Sequence, residues 1–250
     1  MTRLCDAHTH FVTDEDLRLR EKLNILSLMC FSTPDDIDVF LNKQVSDIIL
    51  PTCGIHPWSA DQYQLSDMAK YMNIVPVIGE IGMDSVWCNV PLNIQQKRFE
   101  EQLEFASSIA KPVIIHTKGQ KKEIAALIRK YPNRYLVHWY SCSEYLDEFI
   151  EQDCFFSVGP DVWWNPATEN VARKVPLDRI LTETDGLSAV EWAYNEAPDT
   201  LKPLMQTIPD TTEKALKTVL NSIADIREIS VDSLQEKISF NLKNRFLHMD

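Results

Sequence analysis

The stretch Cys5-Asp6-Ala7-His8-Thr9-His10 sets two imidazoles one residue apart near the start of the chain. In an extended backbone alternate side chains share a face, so His8 and His10 can approach one cation together. The apolar Leu4, Cys5 and Ala7 before them fit a buried strand whose last residues are imidazoles. Two histidines on the solvent face of an edge strand would bind nothing, and the pair alone does not separate these readings. What decides between them is where the other histidines and carboxylates fall.

Short apolar, β-rich runs alternate with amphipathic stretches roughly every thirty residues, the pattern of βα units around a parallel sheet. The runs are Leu4 to His8, Ile25 to Phe31, Asp47 to Thr52, Ile74 to Glu80, Pro112 to His116, Tyr135 to His138, Cys154 to Val158 and Arg179 to Thr184. Helices are expected at Pro34 to Gln44, Ser59 to Met72, Leu92 to Ala110, Gly119 to Lys130, Ser143 to Gln152 and Asn165 to Lys174, with two or three more between Thr200 and Phe246. The Leu92 segment is the clearest, because Phe99, Leu103 and Ala106 recur at helical spacing while Arg98, Glu101, Gln102 and Glu104 take other faces. Eight strands with crossover helices point to an α/β (β/α)8 barrel with extra C-terminal helices, spanning residues 1–250 as one domain.

In such a barrel, chemistry collects at the C-terminal ends of the strands. Five of the six histidines, His8, His10, His56, His116 and His138, fall at those ends or just beyond. Glu80 closes the fourth run, and Asp185 follows the eighth. Imidazole nitrogens with carboxylate oxygens suit zinc, manganese, iron or magnesium, and six ligands with one bridging carboxylate suit two ions. Glu80 as bridge and Asp185 as terminal ligand leave two divalent ions with a net charge of about +2, attractive to an anionic substrate.

Composition narrows the classes. The 250 residues are 44% hydrophobic, enough for a large core, and carry a net charge of −12, which disfavours an extended electrostatic grip on duplex nucleic acid. A compact site for a short or terminal nucleic-acid substrate stays open. No apolar signal core opens the chain and no apolar run is long enough for a membrane span, so a cytoplasmic protein without membrane contact is expected. The six cysteines contain no Cys-x-x-Cys pair and are expected to be reduced.

The motifs taken together resemble one family. Asp6-Ala7-His8-Thr9-His10, Gly54-Ile55-His56-Pro57, Ile78-Gly79-Glu80-Ile81-Gly82-Met83-Asp84, Pro112 to His116, Val137-His138, Thr182-Glu183-Thr184-Asp185 and the closing Asn241 to Phe246 are similar, in order, to those of the TatD family of metal-dependent deoxyribonucleases, amidohydrolase-like barrels. The resemblance implies that His8, His10 and Asp185 hold one divalent ion, that His116 and His138 hold another, and that Glu80 bridges them. It implies hydrolysis of DNA phosphodiesters, at ends or on single strands, by a metal-activated water, with Asp185 as proton acceptor. His56 would then contact phosphate, protonate the leaving group or make a structural hydrogen bond. Glu183 would stand behind a ligand histidine and orient it, or point away from the mouth; Asp6 is read as a residue behind the ligands or a strand-end residue.

The rim departs from the family pattern. Lys118 stands where arginine is usual and lacks its bidentate fork, Cys142 replaces a glycine after His138, and Gly186 follows Asp185 without the usual proline. All six tryptophans, at 58, 87, 139, 163, 164 and 192, fall just after strands. Trp139, Trp163 and Trp164, with Lys118 and His56, are therefore candidates for substrate contact, since indoles stack on unpaired bases. Rim indoles also pack loops or meet a protein partner, and that reading stands beside the first. Two rival functions remain in view: amide, ester or lactone hydrolysis on the same metals, and a QatD-like role as a subunit of an anti-phage defence complex.

Overall fold

All eight apolar runs are strands in the computed structural model, which describes residues 2–10, 13–201, 203 and 207–249. They are β1 (Cys5–His10), β2 (Leu26–Phe31), β3 (Ile49–Cys53), β4 (Val77–Asp84), β5 (Val113–Lys118), β6 (Tyr135–Val137), β7 (Phe155–Val158) and β8 (Ile180–Thr182). Every neighbouring pair is parallel, in the order 1 to 8. β8 returns to β1, with Thr182 Oγ1 donating to the Cys5 carbonyl at 2.7 Å and the Asp185 N–H to the His8 carbonyl at 3.1 Å. The architecture is the expected (β/α)8 barrel.

The helices are α1 (Asp14–Lys22), α2 (Pro34–Leu41), α3 (Leu65–Met72), α4 (Leu92–Ser108), α5 (Lys121–Ile128), α6 (Leu146–Ile150), α7 (Pro166–Lys174), α8 (Leu187–Asn195), α9 (Thr212–Arg227) and α10 (Val231–Phe240). The apolar stripe of α4 does what its spacing requires: Phe99, Leu103 and Ala106 are buried against the barrel. α9, α10 and the π-helical turn Asn241–Phe246 are the extra C-terminal helices, and Asn241 seats them by donating to the carbonyls of Leu177 and Ile180.

Two helices were not expected from the sequence. α1 has no apolar stripe, since only Asp16, Leu17 and Arg20 are buried; what starts it is Thr13, whose hydroxyl accepts the Asp16 N–H, with acidic residues through the first turn. α8 begins at Gly186, at φ 91°, without any side-chain cap.

The sheet is irregular at two places that matter. The β1/β2 register shifts between Asp6 and Thr9, and the β4/β5 register shifts between Ile78 and Ile81. Such irregularities re-aim side chains, and these two contain His8 and Glu80. Close approach there relies on glycine: a Cβ on Gly82 would lie 2.0 Å from the His116 carbonyl oxygen.

Candidate metal centre

The strand ends bring the carboxylate of Glu80 among five imidazoles, those of His8, His10, His56, His116 and His138. Its Oε1 lies 2.6 Å from His116 Nδ1 and 2.5 Å from His138 Nε2. Its Oε2 lies 3.5 Å from His8 Nε2 and 3.7 Å from His56 Nε2. Burial acts to raise the Glu80 pKa, but the surrounding His138, His56, His116 and His8 outweigh it and hold it well below the usual range. Conversely, burial opposes charge on His8, and Glu80 and Asp185 overcome it. His138 is pushed up to about 9, since Glu80 outweighs the effect of burial.

Asp185 completes the first group. Its Oδ1 is 3.3 Å from His8 Nε2 and 3.3 Å from His10 Nε2, and those two rings sit 5.1 Å apart, nearly perpendicular. Burial would raise the Asp185 pKa, but the neighbouring His10 and His8 lower it. Its backbone is left-handed, at φ 55°, a conformation aspartate tolerates better than most residues.

Three groups offer ligand atoms within 4.8 Å of one another: His8 with Glu80 and His138, His8 with His10 and Asp185, and His56 with Glu80 and His116. All six side chains expected as ligands are thus brought together, and His56, left outside that count, joins them. Both ring nitrogens of His8, and Asp185 Oδ1, are buried without a hydrogen-bond partner, although His8 Nε2 and Asp185 Oδ1 are within ion-pair distance. Leaving buried polar atoms unmet is costly, and a divalent cation would satisfy His8 Nε2 and Asp185 Oδ1. The donor set, nitrogen with carboxylate oxygen, fits such an ion.

The supporting shell was partly foreseen. Among the described residues Asp6 makes its hydrogen bonds to Arg20 and Thr184 rather than to a candidate ligand. Glu183 Oε2 accepts the Ser157 hydroxyl at 2.8 Å and stands 3.6 Å from His138 Nδ1, on the far side of that ring from Glu80. Burial raises the Glu183 pKa. Asp84 carried no expected role, yet its Oδ2 lies 3.2 Å from His116 Nε2 and accepts Trp58 Nε1 at 2.9 Å, while Oδ1 accepts the N–H groups of Val86 and Trp87. His116 is therefore spanned between two carboxylates. Cys30 accepts the Glu80 N–H on its sulfur at 3.0 Å. The only signal for Asp84 was its place at the end of the Ile78 to Asp84 motif, and for Cys30 its place near the end of the second apolar run.

His56 accepts the Trp58 N–H on Nδ1 at 3.2 Å, which places its proton on Nε2, toward the cavity. Burial lowers its pKa, with Glu80 opposing, so the ring is neutral.

The cavity over these groups has a volume of about 730 Å³ and takes in His10, His56, Glu80, His116, His138 and Asp185. Among the rim candidates, Lys118, Trp139 and Trp164 line it, with Trp58, Trp87 and Trp192. Burial, with Lys121 nearby, lowers the Lys118 pKa. Trp163 lies elsewhere, packed on Tyr194 at 5.4 Å between ring centroids. Cys142 is half-buried with a free thiol.

A (β/α)8 barrel whose strand ends gather histidines and carboxylates into overlapping ligand clusters has the architecture of a metal-dependent hydrolase. The family model described as TatD related DNase matches residues 5–247, and the chain belongs to that family. It is 26% identical over 202 residues to the uncharacterized metal-dependent hydrolase YabD of Bacillus subtilis, covering 73% of this chain and 79% of YabD. It is 27% identical over 157 residues to the deoxyribonuclease Tat-D of Schizosaccharomyces pombe, covering 54% of this chain and 50% of that protein. It is 28% identical over 153 residues to the human 3'-5' RNA nuclease TATDN2, covering 56% of this chain and 20% of that protein. Among solved structures, the Escherichia coli TatD homologue YJJV matches with a TM-score of 0.77 at 20% identity, over 99% of this chain and 98% of its own, which speaks to the fold. No helix among the described residues is long and apolar enough to cross a membrane.

Proposed function

We propose that the chain is a single-domain, two-metal phosphodiesterase acting on DNA, at ends or on unpaired strands. The observation that carries it is the meeting of His8, His10, Glu80, His116, His138 and Asp185 within overlapping ligand clusters under one cavity. In this reading His8, His10 and Asp185 hold one ion, His116 and His138 hold another, and Glu80 serves both. Such ions supply Lewis acidity at phosphorus and acidify water.

The remaining steps belong to the chain's own side chains. Asp185, held ionised and presented at the cavity by its left-handed turn, accepts the proton of the attacking water. His56, neutral with its Nε2 proton toward the cavity, donates a hydrogen bond to a phosphoryl oxygen; a neutral imidazole is a poor acid, so this role suits it better than protonating the leaving group. Lys118 gives the phosphate a counter-charge inside an acidic molecule. The nuclease names of the fission-yeast and human relatives support the substrate class.

The test is metal analysis of wild type and His8→Ala beside cleavage of labelled single- and double-stranded DNA, with simple esters as a parallel arm. Chelator-sensitive cleavage favouring single strands, weakened by His8→Ala, is expected. Less than one metal per wild-type chain together with no chelator-sensitive cleavage overturns the reading.

A further inference from the structure

A row of indoles and one ammonium forms one side of the cavity mouth. Trp139, two residues beyond β6, meets Trp192 of α8 edge-on at 5.9 Å between ring centroids, and Trp192 meets Trp87 edge-on at 5.8 Å. Lys118, the last residue of β5, sets its Nζ 3.9 Å from the centre of the Trp87 ring. The members differ in freedom. Trp139 is fixed: its Nε1 donates to Asp161 at 2.7 Å, and a Cβ on Gly159 would lie 2.5 Å from its indole nitrogen. Trp87 and Trp192 are 50% and 44% exposed, beside a cavity whose floor is charged.

Exposed aromatic surface gathered in a cleft marks a ligand contact more often than a structural one. The order of groups along the wall says which ligand. His116 and Lys118 are two residues apart on β5 and share its inner face, so Lys118 stands one step outward from the candidate ligands. Its ammonium lies against the Trp87 ring, which Trp192 adjoins. A substrate leading outward from Glu80 therefore meets a positive charge first and flat aromatic faces second.

We propose that Trp87 and Trp192 form a base-binding subsite for the nucleotide beside the scissile phosphate, with Lys118 placed to meet that phosphate. This rests on the nuclease reading above. An indole offers its face only to a base whose own face is free, so the subsite selects unpaired nucleotides without reading their sequence. Trp139, pinned by Asp161 and Gly159, backs Trp192 and sets where its ring stands.

Binding separates this subsite from catalysis. Titration calorimetry on the full-length, manganese-loaded protein would compare deoxyadenosine 5′-monophosphate with 2-deoxyribose 5-phosphate, which has the phosphate but no base. Wild type is expected to prefer the nucleotide by about tenfold or more, the scale of one base–aromatic stack. Trp192→Ala and Trp87→Ala should each cut that preference severalfold, and Trp192→Phe should keep most of it. Because Trp87 sits in a loop and Trp192 on a helix, loss in both variants cannot be laid to misfolding of one element. A preference unchanged in both alanine variants overturns the proposal. So does a wild type that binds the two ligands equally. A wild type that shows the preference but cleaves no DNA leaves the subsite standing and removes the nuclease reading.

Discussion

Asp6 holds Thr184 by two hydrogen bonds, accepting its backbone N–H on Oδ1 at 2.8 Å and its hydroxyl on Oδ2 at 2.7 Å. The Thr184 hydroxyl in turn accepts the Gly186 N–H at 3.1 Å. Asp185 lies between these two anchored residues, so the turn that aims it at His8 and His10 is fixed from a strand away. Thr184→Val keeps the shape and removes the hydroxyl. Asp6 then loses a donor and the Gly186 N–H its acceptor, at about 1 to 3 kcal/mol of stability. Metal affinity is expected to fall by about tenfold or more, as for other residues that orient ligands. Urea unfolding and calorimetric metal titration read the two effects separately; an unchanged metal affinity would show that the turn keeps its aim unaided.

Beneath that pair lies Arg20, fully buried. It donates to Asp16 at 2.6 Å, to Asp6 at 2.8 Å, to Ser27 at 2.9 Å, and to Thr9 and Thr212 at 3.1 Å, tying α1 and α9 to the strands that carry the site. Arg20→Met fills similar space but strands two carboxylates in the interior. Breaking a buried ion network this way costs about 3 to 5 kcal/mol. Arg20→Lys should recover only part, because one ammonium cannot reproduce the planar fork. Denaturant midpoints that differ little among the three proteins would mean that water replaces the guanidinium.

The barrel and its functional face were legible because both rest on periodicity: eight apolar runs at regular spacing, with histidines and acids at their ends. What escaped depends on tertiary contact. α1 buries an arginine rather than an apolar stripe, so its pattern looks solvated until Asp6 and Thr212 are placed around it. The register shifts at His8 and Glu80 leave no compositional trace. The tryptophans all follow strands in sequence, but that does not fix which way a ring turns: Trp192, within α8, faces the cavity, while Trp163, nearer to a strand end, packs on Tyr194.

The partnerless atoms of His8 and Asp185 bear on stability as well as chemistry. A ligand that binds only the folded state adds about 2.7 kcal/mol at a hundred times its dissociation constant. In a chain of this size each kcal/mol moves the melting temperature by about 2 to 4 °C. Loading with manganese or zinc is thus expected to raise the midpoint by about 5 to 10 °C, chelator to reverse it, and His8→Ala to shrink the shift. A melting curve indifferent to both metal and chelator would mean that the cluster binds no ion with useful affinity.

Trp163 and Trp164 adjoin in sequence yet face different surroundings, and this gives a control for the substrate wall. Trp163 belongs to the small core of Val190, Tyr194 and Ala215 that seats α8. Trp164 donates its Nε1 to the Ala193 carbonyl at 3.0 Å and lines the cavity. Trp163→Ala removes packing beneath the helix that carries Trp192, so it should lower stability by about 2 kcal/mol, less than a fully buried indole because Trp163 is only partly covered. Its effect on single-strand binding should be smaller than that of Trp192→Ala, since the ring does not reach the cavity. Filter binding with a labelled oligonucleotide, beside thermal melts, compares the two variants directly. If Trp163→Ala weakened binding more than Trp192→Ala while melting like wild type, the indole that meets the strand would be Trp163, and the wall drawn through Trp87 and Trp192 would be the packing surface instead.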